Sequence, residues 1–426
     1  MVKAPNLQAW LARSNSVEDV LAALRANSEA AWSPREVATA WHRLAKFKKG
    51  PSPKEGQLQH LASIHAQLTS EKFPPRQLAC SVWAWGKLRF RSAELLRQTC
   101  EDVVARSESS SQGLAGFSTR DLANITYGLG LLEHPAARKP VGAACSEMSS
   151  RLQRWAEAHA SGMPPETLEA CSPQSLANTV YALALLKFKH LELLAALSAH
   201  VPCRVEEFKA QELSILVYSC ALLRYRHDGL LHAACESTCQ AGRLDTFCAQ
   251  NISNMLYGVG LLNFRHNVFL HVTCNHTLAR LGDFTSQGLA NMVYALGLLR
   301  FRHDGLVQGL CVHLRTRGKA GEASGEGGGE EEGGEGSRSD NNNNNNADTN
   351  NTNNTNNTNI VNSKGKGKGK GHGQLGRGVL AEFLPQHLAN TVYGLGLLGF
   401  KRPGSERIRA SALVELPKRK NVVAAA

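Results

Sequence analysis

Short basic segments of the chain place an aromatic residue beside cations, a composition that suits contact with phosphate groups. Both flanks are basic in four segments, and Phe264, Arg265 and His266 form a variant with one basic residue fewer. Cations at regular intervals suit the regularly spaced phosphates of a single nucleic-acid strand. Each phosphate contact would also release a counterion, which favours binding. The predicted phosphate-binding residues are Arg89, Arg91, Lys187, Lys189, Arg224, Arg226, Arg265, Arg300, Arg302 and Lys401.

The same basic residues have a purely structural interpretation. Cations near the C-terminus of a helix interact favourably with the helix macrodipole while they stay solvated. The aromatic residue between them then anchors the turn in the core. The sequence leaves both interpretations open.

A second set of polar residues precedes a recurring apolar phrase, of which LANTVYALALL from Leu176 is the clearest copy. We call the first residue of each copy its anchor, and the anchors are Val37, Leu78, Leu122, Leu176, Leu213, Ile252, Leu289 and Leu388. Gln or Arg stands two residues before the anchor, whereas the residue directly before it varies freely. Base-by-base recognition by helical repeats requires one variable polar position on a fixed scaffold. The predicted base-selecting residues are Gln77, Asp121, Ser175, Glu212, Asn251, Gly288, His387, Gln174, Gln211, Gln250, Gln287 and Gln386.

Asparagine and tyrosine recur inside the phrase itself. Asparagine stands two residues after the anchor in five copies, and tyrosine stands five residues after it in six. An amide within an apolar helix needs partners, so we predict a hydrogen-bonded ladder between neighbouring copies, with base contact as the alternative. The tyrosines could stack on bases, but their helical spacing favours packing between copies with the hydroxyl satisfied.

No pattern in the sequence predicts catalysis, a metal or a cofactor. His232, Cys235 and Cys239 share one predicted helical face, but a fourth zinc ligand is missing and small core cysteines explain that face equally well. The glycine-lysine stretch from Lys364 lacks the G-x-x-x-x-G-K-[ST] pattern of a phosphate-binding loop. We therefore expect a binding protein and not an enzyme.

The elements that position these residues are predicted to be pairs of helices. The phrase returns about every 38 residues outside three insertions, a period typical of stacked helical repeats. A capping residue such as Ser118 or Ser172 starts the first helix, which ends at the basic turn, and a second amphipathic run follows. The first helix is apolar almost all round, so only stacking can bury it. The predicted fold is an all-α solenoid of about eight helix pairs.

Four segments are predicted along the 426 residues. Residues 1–32 form an N-terminal helical cap and residues 33–317 form the repeat array. Residues 318–377 are rich in Gly, Glu, Asn and Lys, and their low apolar content predicts disorder. The last repeat and a C-terminal tail occupy residues 378–426, so the low-complexity segment interrupts the array.

Composition narrows the class of partner. A formal net charge of +12 at pH 7 favours an anionic partner such as nucleic acid or a membrane surface. No stretch reaches the ~18 uninterrupted apolar residues of a membrane span, so membrane insertion is not expected. The eleven cysteines include no CxxC pair and are expected to be reduced core residues. Neither a secretory signal nor a clear transit peptide is evident.

The phrase [LI]-[AS]-N-x-x-Y-[AG]-L-[AG]-L-L, preceded by F-x-x-Q, resembles the octotricopeptide repeat of green-algal organelle proteins. It is also similar to the repeats of FAST-kinase-like proteins. The match covers the chain outside the low-complexity segment, with the Leu176 copy the best and the Val37 copy, which has Thr39 and His42 for Asn and Tyr, the weakest.

The resemblance implies an all-helical solenoid that binds single-stranded RNA selectively in a chloroplast or mitochondrion. Its expected role is in transcript stability, RNA processing or translation, with RNA-processing or ribosomal proteins as further partners. Many relatives end in a RAP domain of nuclease-like fold, and none follows Phe400.

A protein-interaction scaffold is the alternative function. Helical-repeat arrays also hold peptides in grooves. A contiguous exposed apolar groove, with the basic row on the opposite face, would indicate that function.

Overall fold

The computed structural model describes residues 6–27, 31–47, 52–68, 73–109, 113–162, 171–323 and 385–399. Within these ranges every regular element is helical, as predicted. No described helix has the length and apolar content needed to span a membrane. The α-helices are α1 (Leu7–Arg13), α2 (Val17–Ala26), α3 (Pro34–Lys46), α4 (Glu55–Gln67), α5 (Pro75–Leu88), α6 (Ala93–Glu108), α7 (Thr119–Leu132), α8 (Arg138–Ala160), α9 (Pro173–Leu185), α10 (Leu191–Cys203), α11 (Ala210–Leu222), α12 (Asp228–Cys239), α13 (Ala249–Leu261), α14 (Asn267–Ala279), α15 (Ser286–Leu298), α16 (Asp304–Ala323) and α17 (Pro385–Leu397).

From α3 onward the helices alternate between two layers. Each odd-numbered helix packs against the odd-numbered helices before and after it, and the even-numbered helices from α4 to α14 do the same. We name the odd-numbered layer from α3 to α17 the A layer and the even-numbered layer the B layer; an A helix and the following B helix form a unit. Consecutive packing of this kind is the arrangement of a helical solenoid.

Small residues let neighbouring A helices approach closely. A Cβ atom built on Gly128 would lie 2.3 Å from the carbonyl oxygen of Val82, and one on Gly394 would lie 2.6 Å from that of Val293. A packed interior cannot accommodate such overlaps without moving a backbone. Gly and Ala at these positions therefore set the spacing of the A layer.

The A layer continues across the low-complexity segment. Helix α17 packs against α15, although residues 324–384 separate it from α16 in the sequence. A Cβ atom on Gly297 would lie 2.8 Å from the Cα atom of Gly394. Helix α16 itself runs on to Ala323, past the predicted end of the array. The predicted disorder from residue 324 onward and the tail after residue 399 lie outside the described residues.

The predicted start signals of the A helices are confirmed. The hydroxyl of Ser118 accepts the backbone N–H of Asp121 at 3.2 Å, and Ser172 accepts that of Ser175 at 3.2 Å. Proline opens α3, α5 and α9, where its missing N–H leaves no hydrogen bond unmade. Each first turn is thus fixed by residues close in sequence.

The A helices end in a left-handed turn eleven residues after the anchor. In five units the next N–H, which belongs to an aromatic residue, closes a Schellman motif; Tyr225 donates to the Cys220 carbonyl at 2.9 Å. Glycine usually takes the left-handed position, yet only the last unit has it. Positive φ values occur at Arg89, Glu133, Lys187, Arg224, Asn263, Arg300 and Gly399.

Histidine begins four of the B helices, a feature that we did not predict although it recurs fourteen residues after the anchor. In each case Nδ1 accepts the N–H of the third helical residue, at 3.1 to 3.3 Å. The neutral ring that makes this bond carries its hydrogen on Nε2. These caps are His190, His227, His266 and His303.

An arginine within the B helix or shortly after it closes five units, a second feature missed from the sequence. It donates to a carbonyl just before the A helix of its own unit, 33 to 35 residues earlier, and pairs with a nearby acid. The contact ties both ends of the unit together. The arginine-carbonyl pairs are Arg106–Phe73, Arg151–Phe117, Arg204–Cys171, Arg243–Phe208 and Arg280–Phe247.

Candidate nucleic-acid interface

One face of the A layer is left partly uncovered by the packing, although Tyr127, Leu131 and Tyr181 on it are buried. It contains the residues two before the anchor and two, five and nine after it, written here as positions −2, +2, +5 and +9. This spacing places them on one side of a helix. In α13 five residues are not buried. They are Ala249 at the start of the helix and the four at these positions, Gln250, Asn254, Tyr257 and Leu261. We name the residues at these four positions of α3 to α17 the A face.

Aromatic rings at position +5 form a row along the A face. Ring centroids of neighbours lie 6.3 Å apart for Tyr127 and Tyr181, and 6.2 Å apart for Tyr257 and Tyr294. Tyr218 packs against the cluster that contains Tyr127 and Tyr181, and lies 6.1 Å from Tyr257. The predicted packing of tyrosines between neighbouring units is therefore confirmed.

The ends of the aromatic row differ from its middle. At one end His42 lies 5.4 Å from Trp83, and these two residues take the tyrosine position of their units. At the other end Tyr393 is 56% exposed. Burial raises the pKa of Tyr127 to about 12. Among the described tyrosines no hydroxyl is buried without a partner.

The predicted asparagine ladder at position +2 is not formed. The side chains of Asn124, Asn178, Asn254 and Asn291 are half-buried and make no hydrogen bond to another described residue. The Asn390 amide oxygen accepts a hydrogen bond from Gln386 of its own helix at 3.0 Å. The ladder prediction was wrong because position +2 lies on the uncovered side of the helix. The amides are thus available to a ligand.

The predicted base-selecting glutamines at position −2 lie on the same face. Gln174, Gln250 and Gln386 are exposed, and Gln211 and Gln287 are half-buried. In each unit the residue at position −2 comes before the residue at position +2 and the aromatic ring at position +5, so the glutamines form a further row along the A face. Base contact by these residues stays a prediction, and their placement is compatible with it.

The residues directly before the anchors have a different environment. They are the third residues of the A helices, where side chains serve the helix start. Asp121 accepts the backbone N–H of Ser118 at 3.1 Å, and Glu212 accepts that of Lys209 at 2.9 Å. Asn251 accepts from Cys248 at 3.3 Å and donates to Ser214 at 3.2 Å.

The other residues at this position are mostly buried. Ser175, Gly288 and His387 are buried and Gln77 is half-buried. The free variation at this position, which suggested base selection, coincides with different ways of capping or packing a helix start. A base-selecting role for these residues remains untested, and position −2 offers the more accessible amides.

The basic turns contain two kinds of cation. The left-handed residues Lys187, Arg224 and Arg300 are exposed, and their side chains make no hydrogen bond or ion pair with another described residue. The cation two residues later reaches the next unit. Arg226 donates to the Asn263 carbonyl at 2.9 Å, and Lys189 donates to the Arg224 carbonyl at 3.1 Å.

The remaining predicted phosphate ligands do not all follow this division, because the left-handed Arg89 is the cation of its turn that reaches the next unit. Arg265 donates to the Leu299 carbonyl at 3.5 Å, Arg302 pairs with Asp304 at 2.6 Å, and Arg89 contacts the Leu131 carbonyl. Arg91 is exposed, and Lys401 lies outside the described residues. The structural interpretation, cations at helix C-termini, therefore accounts for several of them, although the helix end belongs to the next unit.

The unpaired cations border the A face. A shallow groove between α13 and α15 is lined by Leu261 and Leu298 at position +9, together with Asn263, Arg265 and Arg300 from the turns. At this edge of the A face the leucines at position +9 therefore lie next to a cation from a left-handed turn. Leucine at position +9 was not among the predicted site residues, although its spacing from the tyrosine matches one turn of a helix.

The histidine and cysteine residues of α12 do not suit a metal ion. Ligand atoms of His232, Glu236 and His266 lie within 4.8 Å of one another. His266, however, accepts the Phe269 N–H at Nδ1 and contacts Glu236 at 2.8 Å through Nε2, so a metal at Nε2 would break the cap. Burial raises the pKa of Cys239 to about 11, which disfavours the thiolate that a zinc site needs.

Comparison with known proteins shows that the chain matches no protein-family model and no curated protein. The resemblance to the octotricopeptide repeat stays a prediction from the repeated phrase. Function is inferred below from the side chains of the A face and the basic turns.

Proposed function

We propose that the chain binds single-stranded RNA along the A face, with about eight units in the array, and that it is not an enzyme. The observation that carries the proposal is the repeated order of side chains from Gln or Arg through Asn and an aromatic ring to Leu, bordered in three units by an unpaired cation. Amides can donate to and accept from base edges, rings can stack on bases, and cations suit phosphates.

A single strand suits this surface better than a duplex does. The bases of an RNA duplex are paired, and its deep major groove hides their edges from side chains. A single strand can turn its base edges toward the Gln and Asn rows while its phosphates meet the cations at the border. Sequence selectivity then comes from the amide rows, and general affinity comes from the basic turns.

A peptide-binding scaffold receives less support. That alternative requires a continuous apolar groove on the face opposite the basic row. The leucine row at position +9 instead lies next to the cations, and two amide rows occupy the other half of the A face.

The resemblance of the repeated phrase extends the proposal to a cellular role. An octotricopeptide-like protein would act in a chloroplast or mitochondrion on transcript stability, RNA processing or translation. RNA-processing or ribosomal proteins are the partners that such a role implies.

The test uses the full chain and an RNA selected in vitro from a random single-stranded pool. Arg224→Glu with Arg300→Glu reverses two unpaired cations, and Glu133 already occupies the same left-handed position in α7, so the turn accepts glutamate. Arg138→Glu with Lys139→Glu is the matched control, because both residues are exposed in the B layer.

We expect the first pair to weaken binding about 10-fold or more at 100 mM salt, since two phosphate contacts become repulsive. The control pair should change affinity less than about 3-fold through net charge alone. Equal losses in both pairs would contradict binding at the A-face border. Failure of the unaltered chain to select any RNA would overturn the proposed function.

A further inference from the structure

We infer that the A face has two functionally different segments, one on α3, α5 and α7 that holds RNA through phosphates regardless of sequence, and one on α9 to α17 that selects bases. The inference rests on the proposed function. It follows from a change in residue type along the rows, from cationic to neutral, at the junction between α7 and α9.

The first segment carries a cation at one or both ends of each exposed stripe. Position −2 is arginine in all three helices, at Arg35, Arg76 and Arg120, and each side chain is exposed. Position +9 is lysine in the first two, at Lys46 and Lys87. A strand on α3 and α5 would therefore meet positive charge on either side of the aromatic row, and on α7 on one side only.

The pKa shifts of His42 and Cys80 reflect the cations around them. Burial together with Lys46 and Arg43 lowers the pKa of His42 to about 4. Burial raises the pKa of the Cys80 thiol, at position +2 of α5, to about 11, while Arg76 and Lys46 from two adjacent helices lower it and Asp121 raises it. Cations of neighbouring units thus converge on the same part of the A face.

Two acids near the first segment are engaged in the helix starts, whereas Glu133 is exposed at the turn after α7. Glu36 accepts the backbone N–H of Ser33 at 2.8 Å, and Asp121 accepts that of Ser118 at 3.1 Å. These carboxylates therefore face the helix N-termini, where the macrodipole favours negative charge. The exposed arginines of the same first turns remain available to phosphates.

The second segment has no charged residue at any of the four A-face positions. Position −2 is glutamine throughout α9 to α17, position +2 is asparagine except for Ile215, position +5 is tyrosine and position +9 is leucine. Each amide offers both a donor and an acceptor, so it can distinguish base edges. In the described part of this segment the cations stand at its border, among them Lys187, Arg224 and Arg300.

The two segments should differ in how they respond to salt and sequence. Phosphate contacts release counterions, and they contribute the same affinity to every RNA of equal length. Contacts between amides and base edges depend on sequence and release no counterion. The division therefore predicts opposite phenotypes for substitutions in the two segments.

The test compares two triple variants of the full chain. Arg35→Gln, Arg76→Gln and Arg120→Gln give the first segment the residue that the second segment carries at position −2. Asn178→Ala, Asn254→Ala and Asn291→Ala remove amides that make no hydrogen bond to another described residue. Arg138→Gln, Lys139→Gln and Arg154→Gln remove three exposed charges from the B layer as a control.

Affinity is measured against salt for an RNA selected by the unaltered chain and for a permuted RNA of the same composition. We expect the arginine variant to lose affinity equally for both RNAs, and its slope of log affinity against log salt to fall by about 2, or about 0.7 per phosphate contact. The asparagine variant should lose affinity for the selected RNA alone, by about 10-fold or more, at unchanged slope.

Each outcome decides between the two proposals. If both variants lose selectivity and salt dependence alike, or if the control behaves like the arginine variant, the division into segments is wrong while RNA binding stands. If the unaltered chain binds neither RNA, the proposed function and the division fall together.

Discussion

The ammonium group of Lys189 donates a hydrogen bond to the backbone carbonyl of Arg224, 3.1 Å away in the next unit. One predicted phosphate ligand thereby fixes the turn that presents another. Arg226 repeats the relationship one unit further on, where it donates to the Asn263 carbonyl at 2.9 Å. The two cations of a basic turn therefore have separate tasks, one in stacking the units and one at the exposed edge.

Substitution of Arg226 should affect stability more than substitution of Arg224. Arg226→Ala removes contacts with two carbonyls of the next unit and with Asp228, and we expect the free energy of unfolding to fall by about 1–2 kcal/mol because the side chain is half exposed. Arg224→Ala should cost less than about 0.5 kcal/mol. Urea unfolding of both variants measures the difference, and equal losses would contradict the division of tasks.

Glycine at the left-handed turns should separate stability from RNA affinity. Arg224→Gly with Arg300→Gly relieves two positive φ angles, of 51° and 49°, and we expect about 1 kcal/mol of stabilisation at each position. The RNA affinity of the same variant should fall, since two unpaired cations are lost.

Asn263→Gly is the control for this experiment. It changes the same left-handed position, with φ of 50°, without removing a charge. Thermal unfolding and RNA titration should show a small gain in stability and unchanged affinity. Lower stability of the arginine-to-glycine variant, or unchanged RNA binding, would show that the cations at these turns are structural.

The arginine that closes each unit should be a main determinant of stability. Arg151 is 8% exposed, donates to the Phe117 carbonyl at 2.7 Å and pairs with Glu147 at 2.8 Å. Arg151→Ala leaves buried groups unpaired, so we expect a loss of about 3–5 kcal/mol in the free energy of unfolding.

Arg154 on the same helix provides the comparison for Arg151. Its side chain is 58% exposed and lies 3.6 Å from Glu147, so Arg154→Ala should cost less than about 1 kcal/mol. Denaturant unfolding distinguishes the two variants. Similar small losses would mean that the buried arginine contributes little to closing the unit.

Acid should destabilise the fold through its buried histidines. Burial lowers the pKa of His65 to about 3, and burial with Arg204 lowers that of His200 to about 4. An unfolded histidine titrates near 6.5, so the unfolded chain binds more protons below that pH. Stability is full above about pH 6.5 and falls by up to about 1.4 kcal/mol per pH unit per histidine until the folded pKa is reached.

His65→Leu tests the contribution of one such residue. The ring stacks on Phe73 at 4.2 Å and its Nδ1 is buried without a partner, so an apolar side chain can replace it. We expect the variant to lose less stability between pH 6.5 and pH 5 in urea unfolding. An unchanged dependence on pH would exclude His65 as a source of the acid sensitivity.

The repeat, the helix starts and the packed tyrosines could be predicted from the sequence. Ser118 caps α7 as expected by accepting the backbone N–H of Asp121, because capping depends on residues three apart in the chain. The close packing of the A helices depends on Gly and Ala that stand at fixed positions of the repeated phrase, since only small side chains allow two backbones to approach. Signals of this kind are local, and they repeat in each unit.

Only the tertiary structure decided which polar groups find partners. Lys187 and Lys189 look alike in the sequence, yet only Lys189 forms a side-chain hydrogen bond with another described residue. Its acceptor is a backbone carbonyl of the next unit. Asn178 was expected to bond within the stack and instead lies on the side that packing leaves uncovered. Such partners stand more than thirty residues away, and the angle at which units stack determines whether a side chain meets them.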